Sequence, residues 1–261
     1  MTTDSTSDIR IVLVEPSHPG NIGAVARAMM NMDLSKLVLV RPREFPHPEA
    51  AARAAGADAV LANARVVDTL EEAIADCGFV AATTSRNRDQ NFRVLDVQEA
   101  AVRAVAESRR APVALLFGAE RTGLQNEHLD ASHVLLRIPA SRQYSSLNLA
   151  MAVQLVSYEI FRARAMPGNA AVTAEAAEAA QAPLATPPQM QQLYSHLEQV
   201  LQEVDFKDRT KAGTHLMSRI RRFMQRAELD QNELNILRGI LTAIQNRRRM
   251  AGSAQAPKPD P

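Results

Sequence analysis

A chain of 261 residues with 46% hydrophobic content can bury one large core, or a medium core with a small one attached. A formal net charge of +1 singles out no partner, and a lone cysteine, Cys77, excludes an internal disulfide. No run of about 18 apolar residues occurs and residues 1–8 are polar and acidic rather than signal-like, so a cytoplasmic protein with no membrane contact is expected.

Residues 1–8 are expected to be disordered. Ile9 to Glu15 reads as a buried strand, followed by a two-proline turn, Pro16 to Gly20, and a helix from about Asn21 to Met30. Lys36 to Val40 is a second strand. The Ala-rich stretch Pro48 to Ala64 reads as helix, Val66-Val67 as a short strand and Thr69 to Ala75 as helix. Cys77 enters an apolar run with no histidine near it in sequence, which suits a small buried hydrophobe better than a nucleophile. Phe79 to Thr83 is a strand ending in Thr83-Thr84-Ser85, Arg86 to Arg93 a basic loop, and Val97 to Glu107 a helix. Ala111 to Phe117 and Val134 to Ile138 complete the strands. Strands alternating with helices predict an α/β domain with a mostly parallel sheet over residues 9–165.

Residues 166–189 change character. They are rich in Ala and Pro and read as a linker. Beyond them, residues 190–250 read as a small all-helical module: a helix from Met190 to Val204, then Leu216, Ile220, Phe223 and Ala227 at helical spacing. Leu234, Leu237, Leu241 and Ile244 follow, after an Asp230-x-x-Glu233 capping box. Residues 251–261 read as a disordered tail. The near-zero net charge hides an asymmetry, because residues 205–250 hold eleven Lys/Arg against five Asp/Glu. Arg219, Arg222 and Arg226 share one helical face, which suits phosphate contacts; a solvated helix face is the plainer alternative.

Three stretches carry chemistry. In the first, Asn21-Ile22-Gly23-Ala24-Val25-Ala26-Arg27, Asn21 suits an N-cap. Gly23 is unusual in a first helical turn, and its missing side chain is expected to clear a path for Arg27 towards the sheet's ligand edge. Read plainly, Arg27 is a surface arginine. In the second, two glycines, Gly118 and Gly123, flank Glu120 and Arg121 directly after a buried strand. Ligands of open α/β sheets bind beyond the carboxyl ends of strands, where Thr83 also lies. Turn chemistry is the alternative for Glu120. In the third, Arg137-Ile138-Pro139-Ala140-Ser141-Arg142-Gln143-Tyr144-Ser145-Ser146-Leu147-Asn148, a strand stops at Pro139 and a polar loop leads into a helix that is apolar almost all round from Leu147 to Phe161. Such a helix lies in a core or an interface. Ser145 and Ser146 sit where an N-cap belongs, which an ordinary strand-to-helix connection would also explain.

Together and in this order, the three stretches resemble the motifs of the SPOUT methyltransferases, in the branch that methylates RNA ribose 2′-hydroxyls. The resemblance covers about Ile9 to Arg164 and implies a trefoil knot that holds S-adenosyl-L-methionine, with no metal. It implies Asn21, Arg27, Glu120, Ser146 and Asn148 as catalytic residues. Gly118, Ile138, Leu147 and Ser146, with Thr83 and Gly123, would contact the cofactor. A guanidinium does not readily give up its proton in proteins, so a charged Arg27 that binds phosphate and stabilises a developing alkoxide is expected, rather than a base. The helical tail, with Leu234-Asn235-Ile236-Leu237-Arg238-Gly239-Ile240-Leu241, resembles that of the bacterial tRNA methyltransferases acting on nucleotide 32 (cytidine or uridine) of the anticodon loop. That resemblance implies a homodimer with active sites shared between subunits, and RNA contacts through Arg27, Arg142, Tyr144, Arg219, Arg222 and Arg226. A ribosomal-RNA methyltransferase of the same superfamily and a non-catalytic RNA-binding knot protein are the other readings; the intact Asn21, Arg27, Ser146 and Asn148 speak against the second.

Overall fold

The structure, a computed structural model, describes residues 8–84, 92–141, 143–166, 183–206 and 216–253. Seven strands form one all-parallel sheet: β1 (Ile9–Val14), β2 (Lys36–Val40), β3 (Arg65–Val67), β4 (Phe79–Thr83), β5 (Val94–Asp96), β6 (Val113–Phe117) and β7 (Val134–Arg137). Their order is β3-β2-β1-β6-β4-β7-β5. Parallel strands need crossover helices, and these cover both faces of the sheet. Ile9, Ile11 and Leu13 pack towards α1 (Pro19–Met30), α5 (Val97–Glu107) and α7 (Leu149–Ala165). Val12 and Val14 point the other way, towards α4 (Leu70–Ile74) and α6 (Asn126–Asp130). Cys77 is fully buried on that side, and burial pushes its thiol up to about 12, as befits an inert core residue.

Several elements differ from the sequence reading. Pro48 to Ala64 is not one helix but two, α2 (Pro48–Ala54) and α3 (Asp58–Ala62), because Ala55 and Gly56 turn with positive φ. The three-residue β5, too short for a periodic signal, joins the sheet edge beside β7. Asn21 is not an N-cap. The helix begins at Pro19 with His18 as its cap residue, since Pro lacks the N–H that an N1 position leaves unpaired anyway. Gly23 does not clear a path for Arg27: a Cβ there would lie 2.0 Å from the Ala50 carbonyl oxygen, so its absence lets α1 pack closely on α2. The N-cap of α7 is Asn148, whose Oδ1 accepts from Ala150 N (2.9 Å) and Met151 N (3.4 Å), and not Ser145 or Ser146.

The helical module comprises α8 (Pro187–Glu203), α9 (Leu216–Ala227) and α10 (Gln231–Ser253) around Ala185, Leu193, Tyr194, Val200, Met224, Leu234 and Leu241. It begins earlier than the composition suggested. Leu184 bridges Asp230, Ala185 is in the module core, and Thr186 and Gln189 form a capping box at α8. In α9 the side turned to the core carries Met217, Ile220 and Met224, of which Met224 is buried; of the expected stripe Ile220 is kept, while Phe223 and Ala227 are exposed. The module is fastened to the α/β domain by a two-pronged ion pair, Arg103 Nη1–Glu228 Oε1 (2.7 Å) and Nη2–Oε2 (2.8 Å). Arg103 also lies over the Phe79 ring at 4.6 Å. His133 spans the same seam: Nδ1 accepts from Val80 N (3.0 Å) and Nε2 faces Ala185 O (3.4 Å). Residues 1–7, most of the basic loop at 86–93, most of the linker and the tail from 254 lie outside the described residues.

Candidate active site

The loops after β1, β6 and β7 and the end of β4 meet at the carboxyl edge of the sheet. The β6 loop folds back on itself. Gly123 N donates to Ala119 O (2.8 Å), and Gly123 takes a φ of +66. A Cβ at Gly118 would come within 2.2 Å of the Gly123 carbonyl carbon, so this turn closes only around glycine. It carries Glu120 towards the β1 loop.

Glu120 is the hub of the site. Oε2 accepts from Ser17 N (2.9 Å) and Ser17 Oγ (2.6 Å); Oε1 accepts from His18 N (3.2 Å) and Asn21 Nδ2 (2.8 Å). Partial burial pushes this carboxyl up, but the hydrogen bonds from Asn21 and Ser17 outweigh it and hold the group below its ordinary range. An ionised carboxylate only accepts, so Asn21 must turn its NH2 to Glu120. Asn21 Oδ1 then accepts from Asn148 Nδ2 (3.1 Å), and Asn148 Oδ1 is left for the first N–H groups of α7. One charge thus sets the direction of a relay running from the second motif through the first to the third. Sequence reading found Glu120, Asn21 and Asn148 but missed Ser17 and His18. The available signal was Ser17-His18-Pro19 directly before a Pro-initiated helix.

Beside this junction lies a pocket of about 470 Å³. Its walls include Thr83, Gly118, Gly123, Ile138, Ser146 and Leu147, all singled out in the sequence as site residues, and Ser145, read there as a cap, together with Leu124, Leu136 and Leu149, which were not singled out. The Thr83 hydroxyl is committed to Leu116 O (2.8 Å). A larger cleft of about 590 Å³ lies in the seam between the domains, lined by His133, Tyr194 and Arg221 among others, and holds none of the motif residues.

Arg27 is not in the pocket wall. It is exposed on α1, two turns beyond Ser17 and His18, and among the described residues its guanidinium has no hydrogen-bond or ion-pair partner. Tyr144, next in the chain to the pocket-lining Ser145, is 80% exposed, and Arg142 lies outside the described residues. Arg219, Arg222 and Arg226 sit on α9, remote in sequence from the motifs. Arg219 and Arg226 are exposed, but Arg222 is half-buried near Asp130, so the three do not form one equally solvated face.

Residues 8–158 match the SpoU rRNA Methylase family, and residues 188–255 match the C-terminal domain of the tRNA methyltransferase TrmJ. The chain belongs to the SpoU methylase family, in its TrmJ branch. It is 44% identical to the tRNA (cytidine/uridine-2′-O-)-methyltransferase TrmJ of Sodalis glossinidius, over 97% of this chain and 96% of that one. It is 46% identical to the protein of the same name from Yersinia enterocolitica, over 91% of each. Among solved structures, TrmJ from Z. mobilis ZM4 superposes with a TM-score of 0.74 at 33% identity, covering 90% of this chain and 98% of that one. A probable methylase family protein from Haemophilus influenzae superposes with a TM-score of 0.59 at 39% identity, covering 94% and 98%. The SpoU match ends inside α7 and the TrmJ match begins at the first turn of α8, so the two family segments coincide with the two packed units. Among the described residues no helix is long and apolar enough to cross a membrane.

Proposed function

We propose that the protein methylates the ribose 2′-hydroxyl of cytidine or uridine at nucleotide 32 of the tRNA anticodon loop, using S-adenosyl-L-methionine. The observation that carries this reading is the convergence of three motif loops, tied by Glu120, Asn21 and Asn148, on one pocket. The pocket suits the cofactor. Leu124, Leu136, Ile138, Leu147 and Leu149 offer an apolar bed for a flat base, while Ser145, Ser146 and backbone groups around Gly118 to Gly123 offer polar contacts. When bound there, the cofactor supplies an electrophilic methyl group on a sulfonium.

The chain's own residues position and polarise. Glu120 is saturated with four hydrogen bonds and held ionised, so its part is to lock the β1 loop and the start of α1, not to move a proton. Asn21 passes that order to Asn148, which caps α7 and so places Ser146 and Leu147 at the pocket. Arg27 binds the phosphate beside the target ribose and stabilises negative charge growing on the 2′-oxygen.

The protein acts as a homodimer with shared active sites. Opposite the buried face of α7, Met151, Leu155, Tyr158 and Phe161 are exposed, and Met30 at the end of neighbouring α1 is 49% exposed. An apolar face of this extent beside the site suits a subunit interface, and it explains why α7 reads as apolar all round. The helical module and Tyr144 extend the contact to the anticodon stem-loop, and the C-terminal TrmJ match favours tRNA over ribosomal RNA. The deciding experiment incubates the protein and labelled cofactor with tRNA and rRNA transcripts and maps the methyl group by mass spectrometry. Methylation at nucleotide 32 is expected; label confined to rRNA, or none, overturns the reading.

A further inference from the structure

The seam cleft of about 590 Å³ shares no lining residue with the motif pocket. Its apolar lining includes Ile74, Pro187, Met190, Met224 and Leu229. Its polar lining is incompletely paired. Tyr194 is only 3% exposed, yet its hydroxyl has no hydrogen-bond partner among the described residues. Burial pushes that hydroxyl up to about 12, so it keeps its proton and remains a donor. Gln225 Nε2 donates to the Asp130 carbonyl, which fixes the direction of the amide and leaves Oε1 buried with no donor. The Asp130 carboxyl is half-buried and accepts no hydrogen bond from the described residues. Arg221 is held in place, with its guanidinium 4.7 Å over the Tyr194 ring and Nη1 donating to Gln191 Oε1 (2.8 Å). Its other N–H groups have no hydrogen-bond partner among the described residues.

Buried polar groups in folded proteins are nearly always paired, with protein, water or a ligand. Clefts at domain seams with an apolar lining and a few fixed polar groups are where small ligands bind. Here the unmet groups are mixed: the Asp130 carboxylate and Gln225 Oε1 call for donors, while Arg221 and Tyr194 call for acceptors. A ligand of one polarity would leave half of them unmatched. Charge narrows the choice further. Glu71 and Glu127 are exposed at the cleft, Glu228 is already paired with Arg103, and burial holds His133 neutral, at about 4. Arg221 is the one cation among the lining residues, so a phosphate brought here meets more acid than base.

We propose that the cleft binds an uncharged guanine nucleoside, with the Asp130 carboxylate accepting from N1–H and N2–H of the base and Arg221 donating to O6 or N7. Guanine offers two adjacent N–H donors on one edge and two acceptors on another, and one carboxylate takes such a donor pair in a two-pronged contact. Adenine and cytosine set a donor beside an acceptor on the same edge, which leaves a carboxylate half matched. The flat ring lies against the methionine and proline side chains. Asp130 belongs to α6, while Tyr194, Arg221 and Gln225 belong to the module. A bound nucleoside therefore touches both units and favours the docked arrangement by mass action. The cleft lies apart from the motif junction, so its ligand is separate from the methyl-transfer reading.

Calorimetry of the full chain with guanosine tests this, in the presence of saturating S-adenosylhomocysteine to block the motif pocket. Guanosine is expected to bind. Inosine, which lacks the 2-amino donor, should bind about fivefold more weakly or worse, and adenosine and cytidine about tenfold more weakly or worse. Guanosine 5′-monophosphate should bind more weakly than guanosine, with the gap closing as salt is raised. Asp130→Asn should weaken guanosine about tenfold and narrow its lead over inosine. Tyr194→Phe keeps the ring under Arg221 and removes only the hydroxyl, so it serves as a variant expected to fold normally and to bind several-fold more weakly. Hydrogen exchange should slow at Ala185 and Tyr194 on binding. No heat of binding at about 1 mM guanosine, a detectable Kd range for a weak ligand, overturns the inference. So does equal affinity for adenosine, or guanosine affinity unchanged in both variants. Tighter binding of the monophosphate than of guanosine assigns the cleft to a phosphate-bearing ligand, RNA included, and also overturns it.

Discussion

The α/β domain and the helical module handle unfinished surface in opposite ways. At the motif junction the polar groups of the α/β domain are matched to one another, with Glu120 accepting four hydrogen bonds and Asn21 and Asn148 completing the line to α7. The module has a small core and leaves Phe223, Ile236, Ile240 and Ile244 outside it. The first arrangement is rigid because each bond dictates the next donor or acceptor. The second stays open because a three-helix unit of this size cannot bury all its apolar residues by itself. A site built for chemistry is therefore expected to be sensitive to single polar substitutions, and a unit built for docking to changes in its surfaces and seams.

The largest effect is expected at Arg27, which stands outside the matched network. Arg27→Ala should lower single-turnover methylation by about 10²–10³-fold, the scale for losing one donor to a developing oxyanion, while cofactor affinity by calorimetry stays within about twofold. Arg27→Lys keeps the charge but loses the two-pronged phosphate contact, so part of the activity should remain with an unchanged pH profile. A profile moved towards acid for the lysine variant would make Arg27 a base and break the assignment of fixed charge.

Glu120→Gln should come next. The amide would point a donor at groups that already donate, costing roughly 1.5–3 kcal/mol in urea denaturation, and cofactor affinity and turnover should fall together. Unchanged stability would mean that the relay does not order the site. The seam gives a similar magnitude through a different readout. Arg103→Ala removes both prongs from Glu228 and the contact over Phe79, and should destabilise the docked module by roughly 1.5–3 kcal/mol while leaving cofactor binding intact. Hydrogen exchange should then rise at Val80 and Ala185 but not at Glu120.

Ending the chain at Met166 should weaken tRNA binding about tenfold or more and flatten its salt dependence, because the cationic module is gone. A truncated chain with full tRNA affinity would place the whole RNA contact on the α/β domain. The smallest effect is with pH. Burial in the seam lowers the His133 imidazole to about 4 from its ordinary 6.5, so the folded seam resists protonation there. Stability from this group is complete above about pH 6.5 and declines as pH falls towards 4. Glu120 and Glu228 are both held below the ordinary 4.5: burial raises each, and hydrogen bonds to Glu120 and the Arg103 pairing of Glu228 more than offset it. Their contribution is present above about 4.5 and is lost only below it. Mild acid near pH 5.5 should therefore loosen the seam before the active-site junction, which hydrogen exchange at the two places can separate.

Most of the fold was legible in the chain because it is written in local patterns. Buried parallel strands are continuous apolar runs, as in Ile9–Val14 and Val113–Phe117, and helices such as Val97–Glu107 repeat at 3.6 residues. The three motifs were legible as residue types at set distances from strand ends. What the tertiary structure decided is the business of each residue within them. Asn21 looked like a cap and is a link in a relay, because Glu120 arrives from 99 residues away. Gly23 looked like a gap for Arg27 and is a seat for α2, because the Ala50 carbonyl lies against it. Which residues of α7 and α10 are apolar is determined by sequence; which of them face a core and which are left for another surface depends on where neighbouring elements pack, and no periodicity encodes that.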